Sequence, residues 1–475
     1  MFHHQPDISF GRRGFHRRLF TEGIMIGAFA GLVVSAFRYL LELPEVFRPT
    51  LIGLLQESYL NLTIYGAVLF TAAILLWKIV ALEPLTSGSG IPQLKDELAG
   101  DLSMRWLRVL VLKFIGGVIA IGCGMSLGRE GPSVQLGGCV GKGVSSLEHR
   151  PQVEQRFLLM AGSGAGLAAA FNAPLAGVIF CLEELSHSFS PTVLMGTIAA
   201  SVTATVTSRV FFGASPVFHI PPLPMFSVVP SLSLLQEYLL FALLGVFVGG
   251  LAKFFTPALT HSLDWYVKNL APEWRPIGPL FMAGALLFIM PEILGGGAGL
   301  VDRLAAADFT AVTPVWLLML GGLFFAKFFF TVICFGSGVP GGIFLPMLVL
   351  GAVGGSFFAA AAGLLGVMPD IAAMGGTAGI WDASLDSSSA GSFATAFIVF
   401  GMAGYFAAVV KAPVTGSILI MEMTGSYPAL LPLITVTVAA YVTADSLGVE
   451  PVYDVLLERT RRIRRALEKK AAKKQ

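Results

Sequence analysis

The chain has 475 residues, of which 55% are hydrophobic and only 13% charged, and its formal net charge is +2. A soluble domain carries about twice that charged fraction, and a β-barrel shows short alternating strands rather than long unbroken apolar segments. What remains is an all-α polytopic membrane protein.

At the N-terminus, residues 1–20 form a short segment in which "GRRGFHRR" (11–18) places four arginines before the first span. That span begins near Gly23 and no cleavage-like site follows it, so it reads as a retained helix and not a signal peptide. Charge-free runs then recur at 58–77, 157–182, 188–208, 387–410 and 423–444, and 328–369 is too long for one span. The tail "RTRRIRRALEKKAAKKQ" (459–475) holds nine Lys or Arg and one Glu. Basic flanks mark the cytoplasmic side, so both termini are expected in the cytoplasm of a cell (inner) membrane, with an even number of crossings. The tail reads as a solvated helix near anionic headgroups, and no nucleic-acid partner is expected. Cys123, Cys139, Cys181 and Cys334 lie in apolar segments without a C-x-x-C pair, and no histidines pair at metal-ligand spacing. The cysteines read as packing residues, with no metal or cofactor expected.

Two pairs of segments resemble each other. "AAFNAPLAGVIFCLEE" (169–184) matches "AVVKAPVTGSILIMEM" (408–423), with nine residues from Pro174 to Glu183 and nine from Pro413 to Glu422. "GREGPSVQLGG" (128–138) matches "GSGVPGGIFLP" (336–346). Pro132 and Pro340 lie 208 residues apart and Pro174 and Pro413 lie 239 apart. The second copy is therefore longer, and the Ser-, Gly- and Asp-rich stretch 368–393 is the natural place for the insertion. Two membrane repeats follow, 21–215 and 230–447, joined by the loop 216–229 within the Pro-rich "HIPPLPMFSVVPS" (219–231) and followed by an end segment, 448–475. Transporters are often built from such repeats, with the site at their interface.

Three glycine–proline motifs punctuate the chain: "GSGIP" (88–92), "GREGP" (128–132) and "GSGVP" (336–340). Proline suits the first helical turn, and glycine allows a tight entry and close backbone approach. Gly88, Gly90 and Pro92, then Gly128, Arg129, Gly131 and Pro132, then Gly336, Gly338, Pro340, Gly341 and Gly342 read as helix starts inside the membrane. Free N–H groups and a partial positive charge at such a start suit an anion. Three converging starts would hold a small anion without a full positive charge, weakly enough for it to leave.

Glu130, Glu183, Glu184 and Glu422 lie in or beside apolar stretches. A charge at the bilayer centre costs about 3 kcal/mol, so such residues mark pathways or relays by default. Each could instead cap a helix or pair with a base, with Arg129, Lys113, Lys253, Lys327 and Lys411 as candidates. Glu422 reads as structural, and Glu183 stays open between the two. Glu130 sits inside a helix-start motif, where its carboxylate can take the anion's place and a proton can release it. Arg129 reads as local support for that motif.

GSGIP, GREGP, GGIFLP and the late tyrosine of "EPVYDVLLERT" (450–460) together closely resemble the CLC family of chloride channels and chloride/proton antiporters, over residues 20 to 460. The resemblance implies a CLC fold of two inverted-topology repeats with many tilted, broken helices, and a homodimer with one pathway per subunit. It implies chloride binding by the Ser89 and Tyr453 hydroxyls and by the Ile343 and Phe344 amides. It makes Glu130 the external gate and Glu184 the internal proton-transfer residue, with chloride and protons as the substrate ions. Channel members usually lack a carboxylate at the Glu184 position, so an electrogenic antiporter is expected ahead of a passive voltage- or pH-gated chloride channel. Serine in GSGIP favours chloride, since nitrate-preferring relatives carry proline there. Gln93 and Lys95 stand where relatives often have acidic residues. About 20 residues follow Tyr453, so the paired nucleotide-binding domains of eukaryotic members are not expected. A membrane-embedded enzyme is the reading from another class, but Ser89, Ser163 and Ser337, each beside glycines, lack the five-residue G-x-S-x-G nucleophile pattern, and no histidine is placed in a core segment to serve as base.

Overall fold

The computed structural model describes residues 12–218, 220, 223, 233–307, 313–365 and 389–472. Most of the loop 219–231 and of the insertion 368–393 lies outside the described residues. In chain order the helices are α1 (Arg12–Glu57), α2 (Tyr59–Leu82), α3 (Ile91–Ala99), α4 (Trp106–Gly122), α5 (Glu130–Leu147), α6 (Gln152–Phe171), α7 (Pro174–Phe180) and α8 (Pro191–Phe212). The second half holds α9 (Leu234–Ala252), α10 (Phe255–Asn269), α11 (Ile277–Ile289), α12 (Ala298–Ala305), α13 (Pro314–Gly336), α14 (Phe344–Leu364), α15 (Ser389–Val410), α16 (Pro413–Thr424) and α17 (Leu430–Ser446). The tail is α18 (Val452–Ala472). Among the described residues the only extended pairing is two isolated bridges. Seven spans in this set are long and apolar enough to cross a membrane. The first helix extends further than the sequence suggests, because the basic stretch from Arg12 continues it without a break.

The two halves pack alike. Helix α5 lies on α6 as α14 lies on α15, α1 on α8 as α9 on α17, and α6 on α8 as α15 on α17. Small residues make each contact close. Gly137 and Gly141 in α5 face Gly162, Leu158 and Gly166 in α6, and Gly351 and Gly355 in α14 face Gly401 and Phe397 in α15. Gly27 and Gly31 in α1 meet Ala200 and Ala204 in α8, where Gly245 and Gly249 in α9 meet Val436 and Ala440 in α17. Apolar side chains gain little by leaving lipid for protein, so helix association in a bilayer depends on close backbone approach of this kind.

The breaks repeat as well. Helix α6 ends at Asn172 with φ 56°, and Ala173 then leads into Pro174 and α7. Helix α15 ends at Lys411 with φ 67°, and Ala412 then leads into Pro413 and α16. Left-handed backbone is costly for a lysine, and the tertiary contacts hold it: Nζ pairs with Asp445 at 3.2 Å and sits 4.8 Å over the Tyr441 ring. A further pair of equivalents joins these. Short 3-10 turns at Pro84–Thr86 and Pro291–Ile293 precede α3 and α12. Buried Lys113 donates to Thr86 O and Gly88 O, and buried Lys327 donates to Ile293 O and Gly295 O. GSGIP therefore has its counterpart in "GGGAG" (295–299), a match the letters alone do not suggest.

Replacing Gly162 with alanine drives a Cβ into the Gly137 carbonyl, whereas Gly53 has open space around it. Thermal unfolding of the purified protein is expected to show Gly162→Ala destabilised by about 1–3 kcal/mol. Gly53→Ala is expected to be unchanged or slightly more stable, because alanine is the better helix former.

Candidate functional site

The three glycine–proline loops meet at the centre of the molecule and are stitched together through backbone. Gly88 N–H donates to Val339 O at 3.1 Å, and Gly341 N–H returns to Gly88 O at 3.0 Å. Gly128 and Gly342 exchange both N–H···O bonds, at 2.7 and 2.8 Å. The Ser87 hydroxyl adds a bond to Gly338 O at 2.7 Å. Helices α3, α5 and α14 thus begin side by side. Two of the glycines are needed sterically: Gly90 has φ 95° against the Gln135 side chain, and a Cβ on Gly131 would lie 2.8 Å from the Ser89 carbonyl.

The third motif differs from expectation in one respect. Gly336 closes α13, and α14 starts at Phe344, four residues after Pro340. Pro340 therefore does not open a helix. It shapes the crossing strand "VPGGI", whose Gly341 and Gly342 amides are consumed in the stitching. The next two amides, of Ile343 and Phe344, find no acceptor among the described residues. The third, of Leu345, donates to Glu130 Oε2 at 3.3 Å. Ile343, Phe344 and Glu130 are fully buried.

The Glu130 carboxylate therefore lies over the start of α14 and next to its own amide at the start of α5. Its Oε1 has no hydrogen-bond partner. Ser89 is buried, and its Oγ accepts from Ile91 N–H at 3.3 Å, which leaves the hydroxyl hydrogen free to donate. Tyr453, on α18, is fully buried with its hydroxyl unpartnered, and it interacts electrostatically with both Glu130 and Glu184. A buried hydroxyl without an acceptor is costly, and neutral hydroxyl and helix-start amide donors are of the kind that suits a small anion. The Phe344 ring packs on Phe406 at 4.6 Å and Phe171 at 5.4 Å. Among the described residues no group of three or more His, Cys, Asp and Glu side chains is gathered for a metal ion.

Arg129 has a partner that the sequence does not reveal. Its guanidinium lies 3.4 Å from Glu42 on α1, which also holds Arg38 at 2.7 Å. Among the lysines, Lys113 and Lys327 serve backbone carbonyls instead of carboxylates.

Helix α7 runs into a π-helical turn, Cys181–Leu185. Such turns often mark functional sites, and here the turn sends two adjacent glutamates to different elements. Glu183 accepts from Val414 N–H at 3.2 Å and from the Thr415 amide and hydroxyl, each at 2.6 Å, at the start of α16. Glu422, on α16, accepts from Leu175 N–H at 3.2 Å and Ala176 N–H at 2.8 Å, at the start of α7. The two halves thus cap each other's broken helix reciprocally, as a pseudo-two-fold axis between them requires. Glu184 instead turns inward, 3% exposed, with Lys95 Nζ 2.6 Å from its Oε1.

These features define a helical membrane protein of two like-packed halves whose broken helices start around a buried carboxylate. Residues 68–445 match the family model described as "Voltage gated chloride channel", and the chain belongs to that family, the CLC proteins. It is 37% identical over 447 residues to the H(+)/Cl(-) exchange transporter ClcA of Vibrio cholerae serotype O1, covering 92% of this chain and 88% of the relative. The ClcA exchange transporter of Vibrio campbellii is 34% identical over 449 residues, with the same coverage. The crystal structure of a slow cyanobacterial Cl-/H+ antiporter superposes with a TM-score of 0.80 at 31% identity, over 93% of this chain and 98% of that one. A CLC-type fluoride/proton antiporter, at 19% identity and TM-score 0.70 over 90% of this chain and 95% of that one, shares the fold. The fold is accordingly the CLC fold of inverted-topology repeats.

Removing a reciprocal cap leaves the Leu175 and Ala176 amides without their acceptor. Glu422→Ala is expected to cost about 1–2 kcal/mol, read as earlier thermal unfolding in detergent. A wild-type melting curve would contradict the capping role.

Proposed function

We propose that the chain is a secondary active transporter that exchanges chloride for protons across the membrane and moves net charge in each cycle. The observation that carries this is the Glu130 carboxylate seated on the Leu345 amide at the start of α14, next to the amides and hydroxyls suited to an anion. A carboxylate and a chloride ion compete for the same donors. When Glu130 takes a proton it loses the charge that holds it there, and chloride replaces it. When chloride leaves, the deprotonated carboxylate returns. One residue thereby ties the two ion movements together.

Chloride, in this scheme, is held by the Ser89 and Tyr453 hydroxyls and the Ile343 and Phe344 amides. Each donor is neutral, so binding is weak enough for turnover. Glu184 supplies Glu130 with protons from the cytoplasmic side through transient water, past Tyr453. Support comes from the exchange transporters that the chain resembles over most of its length and from its likeness to a chloride/proton antiporter structure. The repeats 21–215 and 230–447, with both termini cytoplasmic, complete the scheme. A homodimer is part of the same proposal. Helix α8 exposes Leu194, Ile198, Val202 and Val206, and α17 exposes Leu431, Ile434, Val438 and Val442, two apolar stripes available to a second copy.

In proteoliposomes under a chloride gradient, Glu130→Ala is expected to carry chloride with no proton pumping. Continued uphill proton movement by that variant would refute the role of Glu130. Glu184→Gln is expected to lose proton flux while chloride flux persists. Loss of both, or of neither, would count against Glu184 as the proton donor. Light scattering coupled to size exclusion is expected to give twice the chain mass.

A further inference from the structure

Lys95 stands in GSGIPQLKDEL, and the fold surrounds it with charge. From α3 its Nζ lies 2.6 Å from Glu184 Oε1 and 2.6 Å from Asp454 Oδ1. The bond to Asp454 has hydrogen-bond geometry, whereas the Glu184 contact is an ion pair only, since Oε1 lacks an aligned donor. The Lys95 and Glu184 side chains are 5% and 3% exposed, but that of Asp454 is 42% exposed. One ammonium thus sits between a buried carboxylate and a carboxylate open to solvent.

We propose that Lys95 is a positioning residue for proton entry, holding Glu184 as a carboxylate aimed inward while Asp454 of the tail helix holds Lys95. This rests on the antiport reading above. With both carboxylates ionised the trio carries one excess negative charge beside a buried site, and a proton from the cytoplasmic solution is bound there on Glu184. Lys95 then stays on Asp454 and the trio is neutral. When the proton leaves for Glu130, Lys95 again compensates the Glu184 charge. Without that ammonium a buried carboxylate keeps its proton and hands it on less readily.

Asp454 follows Tyr453 in α18, so the helix that places the anion-facing hydroxyl also places the anchor of Lys95. The register of α18 against α3 is fixed about two to three turns further along α18. Asp96 receives Arg461 at 2.7 Å and Arg464 at 2.8 Å, and Asp101 receives Arg461 at 2.7 Å. Part of the basic tail is therefore spent on α3 and not on the membrane surface. The other titratable groups facing Glu184 are Glu183, already bonded to the α16 amides, the exposed His187 and Tyr453.

The test is proton and chloride flux measured together in proteoliposomes of the full chain, as a function of internal pH, for wild type, Lys95→Met, Lys95→Arg and Asp454→Asn. Lys95→Met removes the cation and is expected to shift the midpoint of proton flux to higher pH by about 1–2 units. Asp454→Asn removes the competing anion, leaves Lys95 wholly to Glu184, and is expected to shift the midpoint to lower pH. Lys95→Arg is expected to stay near wild type. Opposite shifts are the signature, because a structural defect lowers flux without moving the midpoint in two directions. If wild type moves chloride without protons, the antiport reading fails first. If wild type exchanges the ions and both Lys95→Met and Asp454→Asn keep its profile, this inference alone is overturned. Size exclusion of each variant reports folding, and if Lys95→Met does not survive purification, an unshifted Asp454→Asn overturns the proposal by itself.

Discussion

A helix that begins inside a bilayer leaves backbone N–H groups with no water to receive them, and such groups must be buried in protein or line a cavity. Here three helices begin at one place, and their amides meet three fates. Those of Gly88, Gly341, Gly128 and Gly342 bind neighbouring loops. That of Leu345 binds the Glu130 carboxylate. Those of Ile343 and Phe344 find no acceptor among the described residues. The packing of the repeats, the small residues at their contacts and the left-handed breaks all hold these starts together.

The same constraint is solved differently at the other broken helices. Helices α7 and α16 also start within the protein, but each receives a glutamate from the opposite repeat, Glu422 and Glu183 respectively. A carboxylate fixed on a helix start closes it. A carboxylate that a proton can release would make it a gate, the role proposed for Glu130. The difference between Glu422 and Glu130 lies in their bonding: Glu422 has both oxygens bonded, whereas Glu130 Oε1 has no partner among the described residues.

Much of this was legible in the sequence because it is encoded locally. Gly-x-x-x-Pro spacing, a glutamate inside GREGP and the Ala-Pro-x-x-Gly pair are short patterns with a backbone cause, and the structure puts glycines of the first kind, Gly88, Gly128 and Gly338, at the loop crossing. What escaped depends on distance along the chain. Arg129 finds Glu42 on α1, and Glu183 and Glu422 find each other's helices across more than 200 residues. The counterpart of GSGIP in GGGAG shares only the need for close backbone approach, since its serine and proline are gone. Pro340 misleads for a local reason: a glycine–proline motif marks a break, but two more residues of extended chain were needed to cross to Gly88 and Gly128 before α14 could begin. Lys95 departs from pattern by its letters alone, and its partners Glu184 and Asp454 reach it only through the tertiary fold, from the turn after α7 and from α18.

The central claim is that one carboxylate serves both ions, and it is tested most directly on the unaltered protein. Proteoliposomes are loaded with high chloride in a low-chloride bath at equal pH, with an ionophore to dissipate voltage, and chloride and pH electrodes are read together. Chloride efflux is expected to drive protons inward against the gradient that builds, so that the bath becomes more alkaline in step with chloride release. Chloride release at a constant bath pH would contradict the claim and leave a passive conductance of the same fold.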